Sequence, residues 1–346
     1  MIRGWKAGPD RAVRAAEGQG TGMQLAVYLP LVIPVLAALA ARPLADRLPP
    51  VAATWLLAAS SLALALTSSA VLGLLALSAL VRIPLVAAVA DMSVPVISRG
   101  DSVSLPVAIA AGALLAAAAA AATRALWRRG AAIVAAGRQA RRLPGSGQVV
   151  VTEDDAADAY TLPGWPCRIV ITSGMLRALS EPERDVLLAH ERSHAVASHY
   201  LFTSAARLAA AANPLLRPVA AQVCYTVERW ADERAAAATG DRPLTARAIA
   251  RAALATSAAP PDRDAPMTAL GLVIPGGEAR EGKHRRRALR GAGPVPRRVA
   301  ALLGPPPRTR LLLFCAAVAL VGVSGLSALD AARSLHALVE LAQSAR

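Results

Sequence analysis

Four long runs of uncharged, mostly apolar residues limit what this chain can fold into more than any other feature. They cover residues 18–41, 48–81, 102–123 and 311–329. A helix of about 20 apolar residues crosses the hydrocarbon core of a bilayer, so each run is long enough to span it. A buried core helix is the alternative for any single run, but four in one chain favour a multi-pass membrane protein.

The distribution of basic residues predicts how the chain is oriented. Six arginines follow the third run before the first acid, Glu153, and nine basic residues lie between Lys283 and Arg310, before the fourth run. Cytoplasmic flanks of spans are rich in Lys and Arg, so we expect residues 124–308 to be cytoplasmic and both termini to lie outside. No nucleic-acid-binding motif accompanies the formal charge of +15. These flanks therefore favour contact with anionic lipid, and direct binding of nucleic acid is not expected.

Between the third and fourth runs the pattern becomes that of a folded domain. Short β-branched runs at residues 148–152 and 168–172 predict strands, and residues 158–164 (DAYTLPG) predict another that ends in a turn. Residues 180–183 (SEPE) form a capping box that predicts a helix start. A helix over residues 220–239 should end at Gly240. The Pro-, Gly- and Arg-rich residues 258–308 predict a poorly ordered linker.

The predicted helix after residue 180 carries most of the histidines of the chain. His190 and His194 are four residues apart, so they lie on one helical face and can bind one zinc ion. Glu191 follows the first histidine directly and can act as the general base toward water. The three cysteines show no paired spacing, which excludes a cysteine-type zinc site. The alternative is a surface helix with solvated histidines.

A catalytic zinc site needs a third protein ligand, and the best candidate is Glu228. Asp232 lies one helical turn further on and can support a ligand imidazole as a second carboxylate. Two rivals exist: His199 is rotated off the face of His194 and is expected to pack or cap the helix, and Glu233 points away from Glu228. The alternative for the acidic pair is a solvated, charged helix face.

These motifs resemble the membrane-embedded zinc metallopeptidases of the BlaR/MecR antirepressor type, whose residue logic the HtpX and CAAX-prenyl types share. The resemblance rests on HERSH (residues 190–194), NPLLRP (residues 213–218) and ERWAD (residues 228–232), and on the order of three spans, a peptidase and one more span. It implies that His190, His194 and Glu228 bind zinc, that Glu191 is the general base and that Asp232 orients a ligand. It also implies that residues 158–164 form an edge strand on which a substrate backbone aligns.

Two further points concern the segment after the fourth run and the group that stabilises the oxyanion. Only a short segment follows the fourth run, without a Ser-x-x-Lys motif, so we expect no penicillin-binding sensor domain and no direct β-lactam binding. The group that stabilises the oxyanion is not readable from the pattern; the candidates are Tyr225, Arg229 and Arg234.

The expected fold class is a membrane α-helical protein with about four transmembrane helices and an α+β zincin-like metallopeptidase domain. We expect an N-terminal tail (1–22), three transmembrane helices (23–123), a cytoplasmic peptidase domain (124–257), a linker (258–308), a fourth span (309–330) and a short tail (331–346). The expected function is zinc-dependent endoproteolysis of a cytoplasmic or juxtamembrane protein, which by analogy is a BlaI/MecI-like repressor. The alternative is a non-proteolytic signal transducer with a structural or vestigial zinc site.

Overall fold

A computed structural model describes residues 28–80, 104–164, 167–258, 294–305 and 310–344. Within these residues the chain forms α-helices, one short 3₁₀ turn and a small sheet. The elements, in chain order, are α1 (Leu29–Arg47), α2 (Pro50–Leu80), α3 (Leu105–Arg142), β1 (Val149–Thr152), β2 (Ala159–Leu162), β3 (Arg168–Thr172), α4 (Ser173–Ala178), α5 (Glu181–Val196), α6 (His199–Ala212), α7 (Arg217–Thr239), α8 (Arg242–Ala258), α9 (Pro294–Leu303) and α10 (Leu311–Ser344).

Four of these helices, α1, α2, α3 and α10, are long and apolar enough to cross a membrane. They correspond to the four runs, but their bounds differ. The first helix begins at Leu29 and continues to Arg47, whereas the predicted run covers residues 18–41; residues 18–27 lie outside the described part of the chain. The charged end of α1 beyond residue 41 contacts α9, where Asp46 lies 2.6 Å from Arg297.

Helices α3 and α10 also extend beyond the predicted spans. The third run ends at residue 123, but α3 continues without interruption to Arg142. Helix α10 reaches Ser344, where the sequence predicts a short tail. Alanine-rich and charged segments are good helix formers, so the end of an apolar run is no signal for the end of a helix.

The three strands are confirmed and form one sheet in the order β1-β3-β2. Strand β1 is parallel to β3, and β2 is antiparallel to it with Tyr160 opposite Val170. Strand β2 is therefore an edge strand. The backbone N–H of Thr172 bonds to the carbonyl of Asp158 at 3.0 Å. Backbone groups alternate in direction along a strand, so those of Ala159 and Thr161 face the open edge.

Local sequence signals place the ends of the two site helices. The backbone N–H of Ser180 donates to the Glu183 carboxylate at 2.9 Å, which is the reciprocal half of the predicted capping box at the start of α5. Helix α7 ends at Gly240, as predicted, and this glycine adopts the left-handed conformation with φ 68°.

Helices α6 and α7 form a hairpin that lies against α2. At one end the Thr54 hydroxyl donates to Thr226 at 2.9 Å, and near the hairpin tip Asn213 donates to Ser68 at 3.1 Å. The two contacts lie about 20 Å apart along α2, and about as far apart along α7. Apolar residues of α1, α2, α6 and α7 share one buried cluster, so the helix that carries Glu228 is packed directly on the candidate spans.

Helix α9 lies within the residues that the sequence predicts to be a linker. It begins at Pro294, and Leu302 packs with Ala236 and Ile249 of α7 and α8. The part of the predicted linker before it, residues 259–293, lies outside the described residues. The linker interpretation therefore does not hold for residues 294–303, which form an ordered helix against the predicted site.

Candidate metal centre

The structure brings His190, His194 and Glu228 together. The two Nε2 atoms of the histidines lie 3.1 Å apart. The Glu228 carboxylate lies 3.5 Å from Nε2 of His190 and 3.6 Å from Nε2 of His194. Each of the three residues offers one potential ligand atom, and these three atoms lie within 4.8 Å of one another. Helix α5 supplies the histidines from one face, and α7 packs beside it to supply the glutamate.

The far side of each imidazole has a partner. Nδ1 of His190 lies 3.1 Å from Oδ1 of Asp232. Nδ1 of His194 lies 3.0 Å from Nδ1 of His199. His194 can present the lone pair of Nε2 to a metal only if its Nδ1 carries the proton. The Nδ1–H group then donates a hydrogen bond to Nδ1 of His199. Burial and the neighbouring His194 lower the pKa of His199 to about 3, so its imidazole stays neutral and can accept.

The turn between α5 and α6 explains how His199 reaches this position. Ser198 adopts the left-handed backbone conformation with φ 49°, which is uncommon for a residue other than glycine. His199 is completely buried, and its ring packs 4.7 Å from the ring of Trp230. The sequence predicts that His199 is rotated off the face of His194 and packs or caps the helix; in the structure it packs on Trp230 and also contacts His194. Its contact with His194 could not be read from spacing alone.

Arg298 is the main site residue that the sequence analysis missed. Its Nε and Nη2 atoms donate to the two carboxylate oxygens of Asp232 at 2.7 and 2.6 Å. Its Nη1 lies 3.0 Å from the Glu228 carboxylate. The guanidinium is only 4% exposed. We assigned this arginine to a basic membrane flank, but helix α9 carries it into the interior and holds both acidic residues in place.

The charges of the site favour a divalent cation. Glu191, Glu228 and Asp232 contribute three carboxylates against one guanidinium, which leaves a formal charge of −2 when the imidazoles are neutral. Burial would raise the pKa of Glu228, but Arg298 and the histidines keep it well below its usual range. Burial would likewise lower the pKa of His190, but Asp232 and Glu228 raise it to about 10. The position between these groups thus attracts positive charge.

Glu191 lies beside the histidines, and a side chain of the sheet holds its carboxylate by a hydrogen bond. The hydroxyl of Thr161 on β2 lies 2.9 Å from Oε2 of Glu191 and 3.1 Å from its backbone carbonyl. Both residues are buried but line the same small cavity. The sequence analysis did not identify Thr161, although it predicted the strand that carries it.

The other residues considered from the sequence have different partners. Glu233 forms an ion pair with Arg242 and does not enter the site. Arg229 is buried and donates to the backbone carbonyl of Ala45 at 2.6 Å, at the end of α1. Arg234 is exposed. Tyr225 lies under the guanidinium of Arg297, 3.9 Å from ring centre to Cζ, on the wall of a large cavity.

The site lies between two cavities. The smaller, of about 80 Å³, is bounded by β2, α5 and α8, and its wall combines the polar site residues with apolar side chains of α5 and α8. The larger, of about 1310 Å³, lies between α3, α6, α7 and α9. His194, Glu228 and Arg298 form part of the wall of both.

Comparison with known protein families supports a metallopeptidase class for this site, in a chain with four described helices long and apolar enough to span a membrane. Residues 120–222 match the model of Peptidase family M48. This segment includes His190 and His194 and ends before Glu228. Members of that family typically use zinc. The match supports the metallopeptidase class that the sequence suggests, but not the specific BlaR/MecR type. No curated protein and no solved structure matched the chain.

Proposed function

We propose that the chain is a membrane-bound, zinc-dependent endopeptidase. The observation that carries this proposal is the juxtaposition of His190, His194 and Glu228 with a buried Glu191 that a hydroxyl on an edge strand holds in place. A structural metal site needs no adjacent base, whereas hydrolysis does. A zincin-like α+β domain is the fold that best accounts for this arrangement of a small sheet beside the site helices.

The donor set fits zinc. Two imidazole nitrogens and one carboxylate are a common catalytic zinc set that leaves a position open. Each imidazole has an outer partner, and the formal charge of −2 matches a divalent cation. A zinc ion held by His190, His194 and Glu228 would polarise the substrate carbonyl and lower the pKa of a water molecule.

The residues of the chain supply the remaining steps. The substrate backbone adds to the open edge of β2, where the backbone groups of Thr161 and the carbonyl of Ala159 point outward; the N–H of Ala159 donates to the Asp158 carboxylate at 2.8 Å. Thr161 holds one carboxylate oxygen of Glu191, which leaves the other free to take a proton from water. Glu191 then delivers this proton to the leaving amine. Asp232 and Arg298 keep His190 and Glu228 in position.

The substrate and the setting of the reaction are inferred from charge and packing. The arginine-rich flanks support a cytoplasmic location of the site, and the packing of α7 on α1 and α2 supports a juxtamembrane or cytoplasmic protein substrate. A BlaI/MecI-like repressor in a signalling system is one such substrate. The lipid bilayer is the other expected partner.

The experiment compares detergent-purified wild type with Glu191→Gln, with exposed Glu181→Gln on the same helix as the matched control. Bound zinc is counted, and an unstructured protein is incubated with each variant. We expect one zinc per chain in all of them and cleavage by wild type and Glu181→Gln only. Zinc without cleavage by any variant would favour a non-proteolytic transducer. Cleavage by Glu191→Gln at the wild-type rate would remove Glu191 from the mechanism.

A further inference from the structure

The two cavities that meet at the site differ in chemical character, and His194, Glu228 and Arg298 form part of the wall of both. Apart from the site residues and from Asp158 and Thr256, the wall of the small cavity is apolar and includes Val186, Leu187 and Ile249. Its volume of about 80 Å³ is several times the roughly 10–15 Å³ that one water needs by this measure, so it has room for one apolar side chain. This inference rests on the proposed peptidase function and concerns which substrates it accepts.

The large cavity is lined by basic residues. Besides Arg298, six arginines face it: Arg124, Arg128, Arg129, Arg207, Arg217 and Arg297. Glu228 is the single carboxylate residue in its wall among the described residues. Arg298 lies against that carboxylate already.

Within the described residues, only part of this positive charge faces a carboxylate. Arg297 is paired with Asp46 at 2.6 Å. By contrast, the described part of the chain offers no carboxylate within ion-pair distance of Arg124, Arg128 or Arg217. A cleft that carries one sign of charge between low-dielectric walls concentrates the field and attracts the opposite charge.

We propose that the large cavity binds an acidic segment of the polypeptide substrate, next to the bond that is cleaved, while the small cavity binds an apolar side chain on the other side of that bond. The preferred substrate therefore combines an apolar residue at the cleavage site with several Asp or Glu residues on one flank. Carboxylates suit the planar, bidentate donors of arginine.

An anionic lipid headgroup has the same charge, but the geometry favours the peptide. The wall of the large cavity includes His194 and Glu228, so a substrate chain at the site enters this space directly. The volume of about 1310 Å³ also exceeds the roughly 300–1,000 Å³ typical of small-molecule pockets, which suits a stretch of several residues.

The test uses two unstructured fluorescent peptides with the same apolar cleavable segment, one flanked by glutamates and one by glutamines. Each flank is tried on both sides of the segment. Binding is measured by anisotropy in detergent, in the Glu191→Gln background, so that it does not depend on catalysis. In one arrangement we expect the glutamate peptide to bind roughly tenfold more tightly at low salt, with the difference decreasing as salt screens the charges.

Two triple variants locate the effect. The triple Arg124→Gln/Arg128→Gln/Arg217→Gln should remove the preference for glutamate. The matched control, Arg138→Gln/Arg141→Gln/Arg142→Gln, removes the same charge from positions that are exposed like those of the first triple but do not line the cavity, and should keep the preference. The salt dependence of the unmodified cavity provides the answer if a triple variant does not fold.

The outcomes are separable. Equal binding of both peptides would overturn the acidic-segment proposal. An unchanged preference for the glutamate peptide in the first triple variant would also overturn it. If that variant in addition binds more weakly to vesicles containing anionic lipid, the large cavity binds lipid headgroups instead. Cleavage of both peptides by wild type tests the proposed function independently: peptidase activity without a glutamate preference would refute only the inference about the large cavity.

Discussion

Replacing Arg298 by alanine tests how the two acidic residues of the site are held. Its guanidinium is 4% exposed, bonds both oxygens of Asp232 and lies 3.0 Å from the Glu228 carboxylate. Removing one partner of a buried, hydrogen-bonded ion pair costs about 3–5 kcal/mol, because the remaining charge stays buried and unpaired. We therefore expect Arg298→Ala to lower the free energy of unfolding of the metal-free protein by about that amount.

Bound zinc should reduce the loss of unfolding free energy that Arg298→Ala causes. A divalent cation at the site takes over part of the charge balance, so the loss in Arg298→Ala should be clearly smaller with zinc than with a chelator. The assay is denaturant unfolding in detergent, followed by helical circular dichroism with zinc or with chelator. Arg297→Ala is the matched control: its pair with Asp46, which is 42% exposed, contributes about 0–1 kcal/mol and its contact with the Tyr225 ring about 0.5–1 kcal/mol, so its loss should be smaller. Equal losses for the two variants would refute the role of Arg298.

Three further predictions concern the sheet side of the site. Thr161→Val keeps the shape of the strand residue but removes the hydroxyl that holds Glu191; kcat should fall roughly tenfold with little change in KM, and Thr161→Ser should restore it. A Cβ on Gly174 would lie 2.3 Å from a backbone carbonyl, so Gly174→Ala should lower the unfolding free energy by about 2 kcal/mol or more, whereas Gly130→Ala, with open space around it, should not. Burial raises the pKa of Asp158 from 3.8 to about 6, so its neutral form is favoured in the fold and its contribution to stability is lost as pH rises through 6. Asp158→Asn should therefore stabilise the protein by about 1 kcal/mol above pH 6 and not below pH 4, as read from melting curves at several pH values.

Local patterns were enough to predict the strands, the start of α5 and the end of α7. These features depend on neighbours in sequence: β-branched runs, the Ser180–Glu183 pair and the left-handed Gly240. The helical spacing of His190 and His194 likewise requires only the geometry of one helix. Their approach to Glu228 needs two helices to pack; the four-residue spacing of Glu228 and Asp232 made Glu228 the candidate, and the resemblance to known metallopeptidases implied the same residue.

Residues that act across the fold were harder to predict. Arg298 bonds Asp232, which lies 66 positions earlier, and its position depends on α9 packing against α7 and α8. One sequence pattern does indicate α9: Val295, Val299 and Leu302 follow the spacing of an amphipathic helix that begins near a proline. The surrounding Pro, Gly and Arg residues concealed this pattern. Thr161 was hidden for another reason, since a hydroxyl on a strand carries no signal of what it faces.

The most direct measurement of the central claim is zinc X-ray absorption on the detergent-purified Glu191→Gln protein, with zinc content determined on the same sample. The arrangement of His190, His194 and Glu228 predicts one zinc per chain, bound by two imidazole nitrogens and by oxygens, without sulfur. Glu228→Gln should weaken zinc binding, and Glu233→Gln, whose carboxylate pairs with Arg242, should not. Protein that binds no zinc, or that binds it through thiolates, would contradict the assignment of this site.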